Sequence, residues 1–464
     1  MSRSQDDGSQ TIPPLRTHGT SGEAGSGPAS TEGVTSFSVL DETRALTEKL
    51  MERVCEPSNL NRAFKRVVSN KGTPGIDGMT VETLRSWIST HREAFVASLL
   101  DGSYLPQPVR AVEIPKPSGG TRELGIPTVI DRLVQQAILQ VLQPIFEPTF
   151  STSSFGFRPG KSAHGAIEQA SRYIGEGKRF VVDVDLEKFF DRVNHDILMS
   201  RLARTIGDKR LLRLIRRFLQ AGLMRGGVVS SREEGTPQGG PLSPLLSNVL
   251  LDDLDKELES RGHSFCRYAD DCNVYVASSA AASRVLSSIT AWLAKTLRLK
   301  VNVTKSAAAP VEERKFLGYR LLADGRPVVA PESLARLQKK IRDATKRRTP
   351  RPVERVAVEL APLLRGWGNY FRLAYNRSVF RHLDSWIRRR LRAVRLQQCK
   401  RVFTLRTYLV GRGVPEHSAW ALALSGKGKW HLARTPQAHT ALPTKWFSSV
   451  GLISLEQQHL SFKL

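Results

Sequence analysis

Two adjacent aspartates, Asp270 and Asp271, interrupt a run of strand-forming residues in the segment FCRYADDCNVYV (265–276). Aromatic and β-branched residues flank the pair on both sides, and such residues favour strands, in which Asp is depleted. The pattern therefore predicts a β-hairpin with the two carboxylates at its tip. By itself the pair fits two interpretations equally well: a solvated turn, where Asp is common, or a site that binds a charged group.

A second acidic segment favours the binding site. The segment VVDVDLEKFF (181–190) begins as a valine-rich strand that we expect to be buried and to become helical at Leu186. Asp183 and Asp185 lie two residues apart, so their side chains share one face of that strand. Burying an unpaired carboxylate is costly, and divalent cations would neutralise the charge. Carboxylate oxygens suit Mg²⁺, and two such ions can stabilise the attacking and leaving oxygens of phosphoryl transfer.

A glycine-rich loop lies between the two acidic segments. The loop GTPQGGPLSP (235–244) lacks the lysine of a phosphate-binding P-loop. The segment GFRPGKS (156–162) is one residue short of that motif and follows no clear strand, so we discount a P-loop ATPase. GTPQGG is either a flexible loop or a glycine-lined surface that lets a base pair approach the backbone closely.

The charge balance favours an anionic partner. The 464 residues include 70 Lys and Arg against 44 Asp and Glu, a net charge of +26. Such an excess favours nucleic acid as the partner, with a basic but otherwise ordinary enzyme as the alternative. No apolar run approaches the roughly 20 residues that span a bilayer, so we expect no membrane partner. The N-terminus has no apolar signal-peptide core, and the four cysteines form no CxxC pair, so we expect a cytosolic protein.

Composition and periodicity divide the chain into segments. Residues 1–36 are rich in Ser, Gly, Thr and Pro, which predicts a disordered leader. The segment VRAVEIPKPSGGTRELGIPT (109–128) alternates apolar and polar residues around a PSGG break, which predicts a hairpin. Residues 331–401 have the pattern of three amphipathic helices in which Lys and Arg far outnumber the acids. The remaining residues, 402–464, have a mixed composition.

In this order, these segments resemble the group II intron reverse transcriptases, the intron-encoded maturases of bacteria and organelles. The resemblance runs from about Leu40 onward. IPKPSGGTRELGIPTVIDRLVQQAI is similar to the family's fingers, FVVDVDLEKFFD to polymerase motif A, GTPQGGPLSPLLSNVLLDDLD to motif B and CRYADDCNVYV to motif C. LRLKVNVTKS is similar to motif D, FLGYRL to the primer-grip motif E, and LAPLLRGWGNYFRLAYNRSVFRHLDSWIRRRLR to the maturase thumb.

The resemblance implies an α+β right-hand polymerase, with fingers and a palm built on antiparallel sheet, followed by an α-helical maturase thumb. The implied domains are an N-terminal extension (37–100), fingers and palm (101–330), the thumb or X domain (331–401) and a basic C-terminal region (402–464) that is a candidate for nucleic-acid contact. We find no cysteine pairs or His-Asn-His spacing after Lys400. We therefore expect the bacterial type that lacks the endonuclease.

The family's motifs also imply a catalytic triad of Asp185, Asp270 and Asp271 that holds two Mg²⁺ ions, for which Mn²⁺ would substitute. Asp185 is preferred to Asp183 because the family places an aromatic residue five positions after the metal-binding aspartate. Here that residue is Phe190, which would act as a steric gate that favours dNTPs over rNTPs. The alternative for Phe190 is a plain core aromatic, and Asp183 is expected to be structural.

Further positions follow from the same motifs. The backbone carbonyl of Leu186 would contact a metal. The residues implied to contact the dNTP are Lys116, Arg122, Gln238, Gly239, Gly240 and Lys305. The residues implied to contact nucleic acid are Arg158, Arg365, Trp367, Arg388, Arg389, Arg390 and Arg392. The alternative for Lys116 and Arg122 is a solvated hairpin tip, and the alternative for Gln238, Gly239 and Gly240 is a plain loop. Lys305 could equally be a surface lysine, and the thumb arginines could serve only to solubilise their helices.

The implied function is an RNA-directed DNA polymerase that adds dNTPs to a primer on an RNA template and binds its group II intron RNA to assist splicing and mobility. Target DNA is a further implied partner, and the implied location is the bacterial cytosol, associated with the nucleoid. The first alternative is a retron-like, CRISPR-associated or host-repair reverse transcriptase without a splicing role. A non-catalytic RNA-folding maturase is the alternative from another class, and the intact aspartates count against it.

Overall fold

The computed structural model describes residues 47–115, 120–225, 227–230, 233–346 and 349–462. The leader that we expected at 1–36 and the candidate residue Lys116 lie outside these ranges. Within them, every helix is too short or too polar to cross a lipid bilayer.

The helices before the thumb are α1 (Leu50–Cys55), α2 (Pro57–Ser69), α3 (Leu84–Leu100), α4 (Val129–Phe146), α5 (Ala163–Gly175), α6 (His195–Ala203), α7 (Lys209–Gln220), α8 (Ser243–Ser260) and α9 (Ser279–Trp292). Helix α4 begins where the Thr128 hydroxyl accepts a hydrogen bond from the backbone N–H of Asp131, a typical N-cap. Most of its side chains are buried, so α4 lies at the centre of the molecule rather than on its surface.

The strands are β1 (Val109–Pro115), β2 (Thr121–Ile126), β3 (Phe180–Val184), β4 (Leu223–Arg225), β5 (Val228–Ser230), β6 (Ser264–Tyr268), β7 (Asp271–Val276), β8 (Ala307–Pro310), β9 (Lys315–Phe316), β10 (Tyr319–Leu321) and β11 (Pro327–Val329). The fingers sheet has the order β2-β1-β4-β5, the palm sheet β6-β7-β3-β8 and a small third sheet β11-β10-β9. The β1–β2 hairpin was predicted, whereas the β4–β5 hairpin, which extends the fingers sheet, was not.

The antiparallel palm sheet is covered on both faces. Along β3, Val182 and Val184 pack into one hydrophobic core together with side chains from α4 and α8. Val181 points to the other face and packs into a second core that includes thumb residues. Because side chains alternate along a strand, Asp183 lies on the same face as Val181. The palm acids therefore face the side of the sheet that carries the thumb.

The thumb consists of α10 (Pro331–Ala344), α11 (Val353–Tyr370) and α12 (Arg377–Gln398), as the sequence predicted. The chain continues through α13 (Val402–Val410), α14 (Glu416–Ala423), α15 (Lys429–Leu432), α16 (Pro436–Ala441), α17 (Thr444–Ser449) and α18 (Leu455–Ser461). Helices α13 to α16 form a third small core with the end of α12, and Phe447 and Leu455 of the last two helices pack into the thumb core. The C-terminal region is thus an integral layer on the thumb.

One local prediction was wrong. We expected the chain to become helical at Leu186, but only a 3₁₀ turn follows, at Phe189–Asp191. Leu186 is buried and forms an isolated bridge with Val301, which continues the extended backbone past the end of β3. Lys188 then adopts a left-handed conformation (φ 48°), and this conformation prevents a helix from starting at Leu186.

Candidate active site and nucleic-acid surface

The β6–β7 hairpin carries the aspartate pair on a tight turn, as the sequence predicted. Tyr268 pairs with Asp271 at the end of the ladder, so only Ala269 and Asp270 form the connection. Ala269 has φ 59°, in the left-handed region that a residue with a Cβ rarely adopts. A strained residue held beside an acidic pair is typical of a functional site.

Asp185 lies beside this turn because β3 and β7 are neighbours. Val184 pairs with Cys272, so Asp185 leaves β3 where Asp271 begins β7. The backbone N–H of Asp185 donates to the Ser306 hydroxyl at 2.9 Å, and its carbonyl accepts from the N–H of Asn302 at 2.8 Å. These bonds fix the backbone, and the Asp185 side chain lines the groove described below.

The acids at this edge of the sheet repel one another. The pKa of Asp271 is raised to about 7, first by partial loss of hydration and then by the carboxylates of Asp270, Asp183 and Asp185. The pKa of Asp270 is raised in the same way, by desolvation and then by Asp185. Lys305 partly offsets this charge, because its ammonium lies 3.2 Å from Oδ2 of Asp185. The site therefore has an excess of negative charge.

Asp183 differs from the other three acids in having an arginine partner. The Arg314 guanidinium donates two hydrogen bonds to its Oδ2, at 3.0 and 2.6 Å. This pair supports the expectation that Asp183 is structural. Asp183, Asp185 and Asp271 all line a groove of about 810 Å³ that extends along the β9–β10 segment to the start of α10. Lys315 and Arg320 are among its basic residues.

The donor set suits a hard divalent cation. The available acceptors are carboxylate oxygens, and Oδ2 of Asp185 has Lys305 as its ion-pair partner but accepts no hydrogen bond. In the ranges that the structure describes, no three His, Cys, Asp or Glu side chains are gathered closely enough to hold a metal as they stand. The carboxylates fit such an ion in chemistry and charge, and side-chain rotation would be needed to close a ligand shell.

The motif B loop (235–244) packs against both the motif A segment and the fingers. The backbone N–H of Thr236 donates to the Phe190 carbonyl at 2.7 Å, and the N–H of Gly125 on β2 donates to the Gln238 carbonyl at 2.9 Å. Gly239 has φ +130°, and a Cβ there would lie 2.7 Å from the Gly125 carbonyl oxygen. Phe190 is half-buried and contacts Phe189 edge to face. The motif B loop is thus hydrogen-bonded both to the segment that carries Phe190 and to strand β2 of the fingers.

The remaining candidate dNTP residues are placed as follows. Arg122 is exposed and lies in strand β2 opposite Ile114, rather than in the hairpin turn itself. Gly240 is buried, and a Cβ there would lie 2.3 Å from Oε1 of Gln135. Glycine at this position therefore also serves close packing against α4.

Two predicted nucleic-acid contacts are contradicted by burial. The Arg158 side chain is 6% exposed, pairs with Glu147 and donates to the Ser154 carbonyl. Arg392 is 3% exposed and donates to the Leu442 carbonyl. Both guanidinium groups are used inside the protein, so neither is available to a phosphate.

The other predicted thumb contacts divide into two groups. Arg389 lies 3.9 Å from the Trp430 ring and donates to its carbonyl, and Arg390 donates to Thr345. Trp367 packs against Phe371 and Phe380 in the thumb core. These three side chains hold the thumb together and are not free anchors. Arg365 is exposed and Arg388 is half-exposed, and both remain candidates for phosphate contacts.

Arg267 is a residue that sequence reasoning did not single out. It lies on β6 three residues before Asp270 and is completely buried. Its signal in the sequence is a charged residue inside an otherwise apolar strand, FCRY. Such a residue requires partners that only the fold reveals.

Two family models match the chain. The reverse transcriptase (RNA-dependent DNA polymerase) model matches residues 114–321, and the group II intron maturase-specific domain matches residues 334–408. Both matches cover segments where the sequence resemblance placed the fingers, palm and thumb.

Individual relatives agree. Protein YkfC of Escherichia coli K12 is 34% identical over 316 residues, which cover 59% of this chain and 83% of YkfC. The group II intron-encoded protein LtrA of Lactococcus lactis subsp. cremoris is 38% identical over 209 residues, 45% of this chain and 35% of LtrA. The match therefore spans about a third of LtrA. A solved structure of apo telomerase from Candida tropicalis covers 75% of this chain and 74% of its own at 11% identity, with a TM-score of 0.41, too low for any argument.

The fold class expected from the sequence is confirmed, and reverse transcriptases as a family use divalent metal ions. The extensive match to YkfC and the two consecutive family models lead to one conclusion. The chain belongs to the family of group II intron-encoded reverse transcriptases and maturases, and its palm is that of an RNA-directed DNA polymerase.

Proposed function

We propose that the chain extends a DNA primer on an RNA template, with Asp185, Asp270 and Asp271 as the ligands of two Mg²⁺ ions, for which Mn²⁺ substitutes. The observation that carries this proposal is the sheet register that brings Asp185, Asp270 and Asp271 to one edge of the palm. Burial and then the neighbouring carboxylates raise the pKa of Asp270 and of Asp271 there. The bound ions would activate the primer 3′-hydroxyl and stabilise charge on the transferred phosphate.

The chain's own residues would orient the substrates. The half-buried ring of Phe190 would lie under the sugar of the incoming dNTP and exclude a 2′-hydroxyl. Gln238 and Gly239 would lie along the nascent base pair, and Leu186 would offer its carbonyl to one ion. Lys305, already an ion-pair partner of Asp185, would deliver a proton toward the leaving pyrophosphate once that carboxylate binds a cation.

The dNTP triphosphate would lie against the fingers hairpin and contact Arg122, with Lys116 as the second proposed contact. Arg122 is exposed on β2, and a guanidinium suits the oxygens of a phosphate. Along the groove, Lys315 and Arg320 would contact the primer backbone. We propose the same domain limits as the sequence predicts: the N-terminal extension at 37–100, fingers and palm at 101–330, the thumb at 331–401 and the C-terminal region at 402–464.

We also propose that the thumb binds group II intron RNA and assists splicing and mobility, with target DNA as a further partner. The match of residues 334–408 to the maturase-specific domain supports this role. It favours a splicing role over a retron-like, CRISPR-associated or host-repair enzyme. Arg365 and Arg388 are the candidate phosphate contacts, through charge-assisted hydrogen bonds.

A primer-extension assay tests the catalytic proposal. Asp270→Asn keeps the shape of the side chain but removes its charge, so we expect it to abolish extension of a DNA primer on an RNA template with Mg²⁺ and dNTPs. The matched control is Asp196→Asn, which neutralises an exposed acid on α6 that pairs with Arg216. Extension at the wild-type rate by the Asp270 variant would remove that residue from the site.

A splicing assay with the RNA transcribed from around the gene tests the second role. We expect the wild-type chain to accelerate splicing, and Asp270→Asn to retain this effect because the thumb is intact. Polymerase activity without any effect on splicing would favour the host-repair or retron-like alternative.

A further inference from the structure

A second charged cluster lies directly beneath the catalytic turn. Arg267 on β6 and Asp255 on α8 form an ion pair in which both side chains are 0% exposed. Burying two charges costs more than their attraction returns unless every donor and acceptor is matched. The ion pair therefore adds little to the stability of the fold by itself, and its contacts point to another role.

All five N–H donors of the Arg267 guanidinium have acceptors. Nε and Nη2 donate to the two carboxylate oxygens of Asp255, at 2.7 and 2.5 Å. Nη1 donates to Oδ1 of Asn248 at 3.0 Å and to the carbonyl of Ala269 at 2.9 Å. Nη2 also donates to the hydroxyl of Ser154 at 2.8 Å. A guanidinium has five such donors in a rigid plane, so its orientation is fully determined.

These contacts join three separate parts of the chain at the turn. Asn248 and Asp255 lie seven residues apart on α8 and so project from the same face of the helix. Nδ2 of Asn248 donates to the Gly156 carbonyl at 2.9 Å, which draws the 153–157 loop against the hairpin. A Cβ at Gly156 would lie 2.2 Å from the backbone nitrogen of Ala269. The turn is therefore enclosed on both sides.

The bond to Ala269 acts at the strained position. Ala269 holds its left-handed conformation immediately before Asp270, and its carbonyl belongs to the peptide that leads into Asp270. A hydrogen bond that the rigid guanidinium donates to this carbonyl fixes the plane of that peptide. The plane in turn sets the direction in which the Asp270 side chain leaves the backbone.

We propose that Arg267, oriented by Asp255, is a positioning residue that holds the Ala269–Asp270 peptide so that the Asp270 carboxylate reaches the same cation as Asp185. This inference rests on the proposed function, because it concerns how a metal ligand is presented. Partners of metal ligands typically contribute 10–100-fold to metal affinity or activity, about the size expected here.

Arg267→Lys is the first test. Lysine keeps the charge but has three donors on one nitrogen, so it cannot pair with Asp255 and hold the Ala269 carbonyl together. We expect kcat for primer extension to fall about tenfold or more, with the KM for dNTP unchanged. In the absence of dNTPs, calorimetric titration of the protein with Mn²⁺ should show affinity weakened by about tenfold.

The matched control is Arg201→Lys. Arg201 on α6 pairs with Asp253, two residues before Asp255 on α8, and this ion pair does not include the catalytic turn. This variant should bind Mn²⁺ and extend primers as the wild type does. Thermal unfolding of both variants separates a loss of stability from a loss of metal affinity.

A double variant covers the case in which Arg267→Lys does not fold. Arg267→Met with Asp255→Leu replaces both charges by apolar side chains, a change that buried pairs often tolerate. We expect it to fold and to show the same weakened Mn²⁺ affinity and lowered kcat. Either folded variant with wild-type Mn²⁺ affinity and kcat would overturn the positioning role. If the wild type itself fails to extend primers, the proposed function fails, whereas the Mn²⁺ titration still reports on the turn.

Discussion

The acidic edge of the palm sheet and the arginine-rich thumb use their charged side chains in opposite ways. In the palm, Asp271 begins β7 and lines the groove, and Asp270 precedes it in the β6–β7 turn. Burial and then the neighbouring carboxylates raise the pKa of both side chains. In the thumb, the arginine-rich segment of α12 directs Arg392 into the core and stacks Arg389 on Trp430. The acids at the palm edge repel one another, whereas part of the thumb's basic charge is bonded inside the protein.

This difference shows that the density of charged residues in the sequence does not predict which of them can contact a ligand. The run IRRRLR lies on a helix, where successive side chains point in different directions, so a continuous basic run must place some members on the buried face. Burial lowers the pKa of Arg392 to about 10, yet the Leu442 carbonyl and the Phe447 ring accommodate it. A cluster of arginines in the sequence therefore does not identify the residues that form the nucleic-acid contact surface.

The largest expected effect on activity is the difference between variants of Asp185 and Asp183, the two acids of the motif A segment. Asp185→Asn should lower primer extension by roughly a thousandfold or more, the scale of losing an essential catalytic group. Asp183→Asn should retain most of the activity and lose about 1–3 kcal/mol of stability, because the partly buried Arg314 loses a charged hydrogen-bond acceptor. Rates and denaturant midpoints measured side by side check the contrast, and equal activity losses would refute it.

The next prediction compares two arginines on α12. Arg388→Met should weaken RNA binding and reduce the slope of log affinity against log salt by roughly 0.7, the loss of one phosphate contact. Arg392→Met, a change of similar size four residues along, should leave that slope unchanged, because its guanidinium is buried. Filter binding over a range of salt concentrations measures both slopes. Equal decreases would mean that Arg392 turns outward on RNA.

The smallest effect concerns the uncompensated charge in the palm. The pKa of Asp271 is raised from 3.8 to about 7, so in the absence of metal the folded state binds a proton more tightly than the unfolded state does. Stability should therefore fall as the pH rises through the window between these values. Mg²⁺ should weaken this dependence, because a cation favours the charged carboxylate.

Asp271→Asn tests this dependence directly. The variant cannot titrate, so its free energy of unfolding in EDTA should match the wild type near pH 4 and exceed it at pH 8. Urea denaturation at both pH values measures the difference. A difference that does not change with pH would show that the Asp271 charge is already compensated.

Much of the fold followed from local patterns. Alternation predicted the β1–β2 and β6–β7 hairpins, and periods near 3.6 predicted the thumb helices, because these patterns reflect one buried face. The β4–β5 hairpin was missed because its strands have only three residues each. The helix expected at Leu186 did not form, because tertiary pairing with Val301 continued the extended backbone.

The candidate site divides in the same way. The strand period and the family motifs placed Asp185, Asp270 and Asp271 together in the prediction, and the sheet register brings these three positions to one edge. The buried network around Arg267 could not be predicted. Its partners Ser154 and Asp255 are 113 and 12 residues away, and nothing local indicates that they meet.

The sequence by itself determined which residue types could carry charge at the palm edge and which family the chain resembles, because ordered motifs and strand alternation are local properties. Only the tertiary structure decided which charges are available. The pairing of Asp183 with Arg314, the burial of Arg158 and Arg392, and the enclosure of Arg267 all depend on side chains from distant segments meeting in space. Whether a charged side chain is available to a ligand depends on how distant segments pack, and no single segment of the sequence determines that packing.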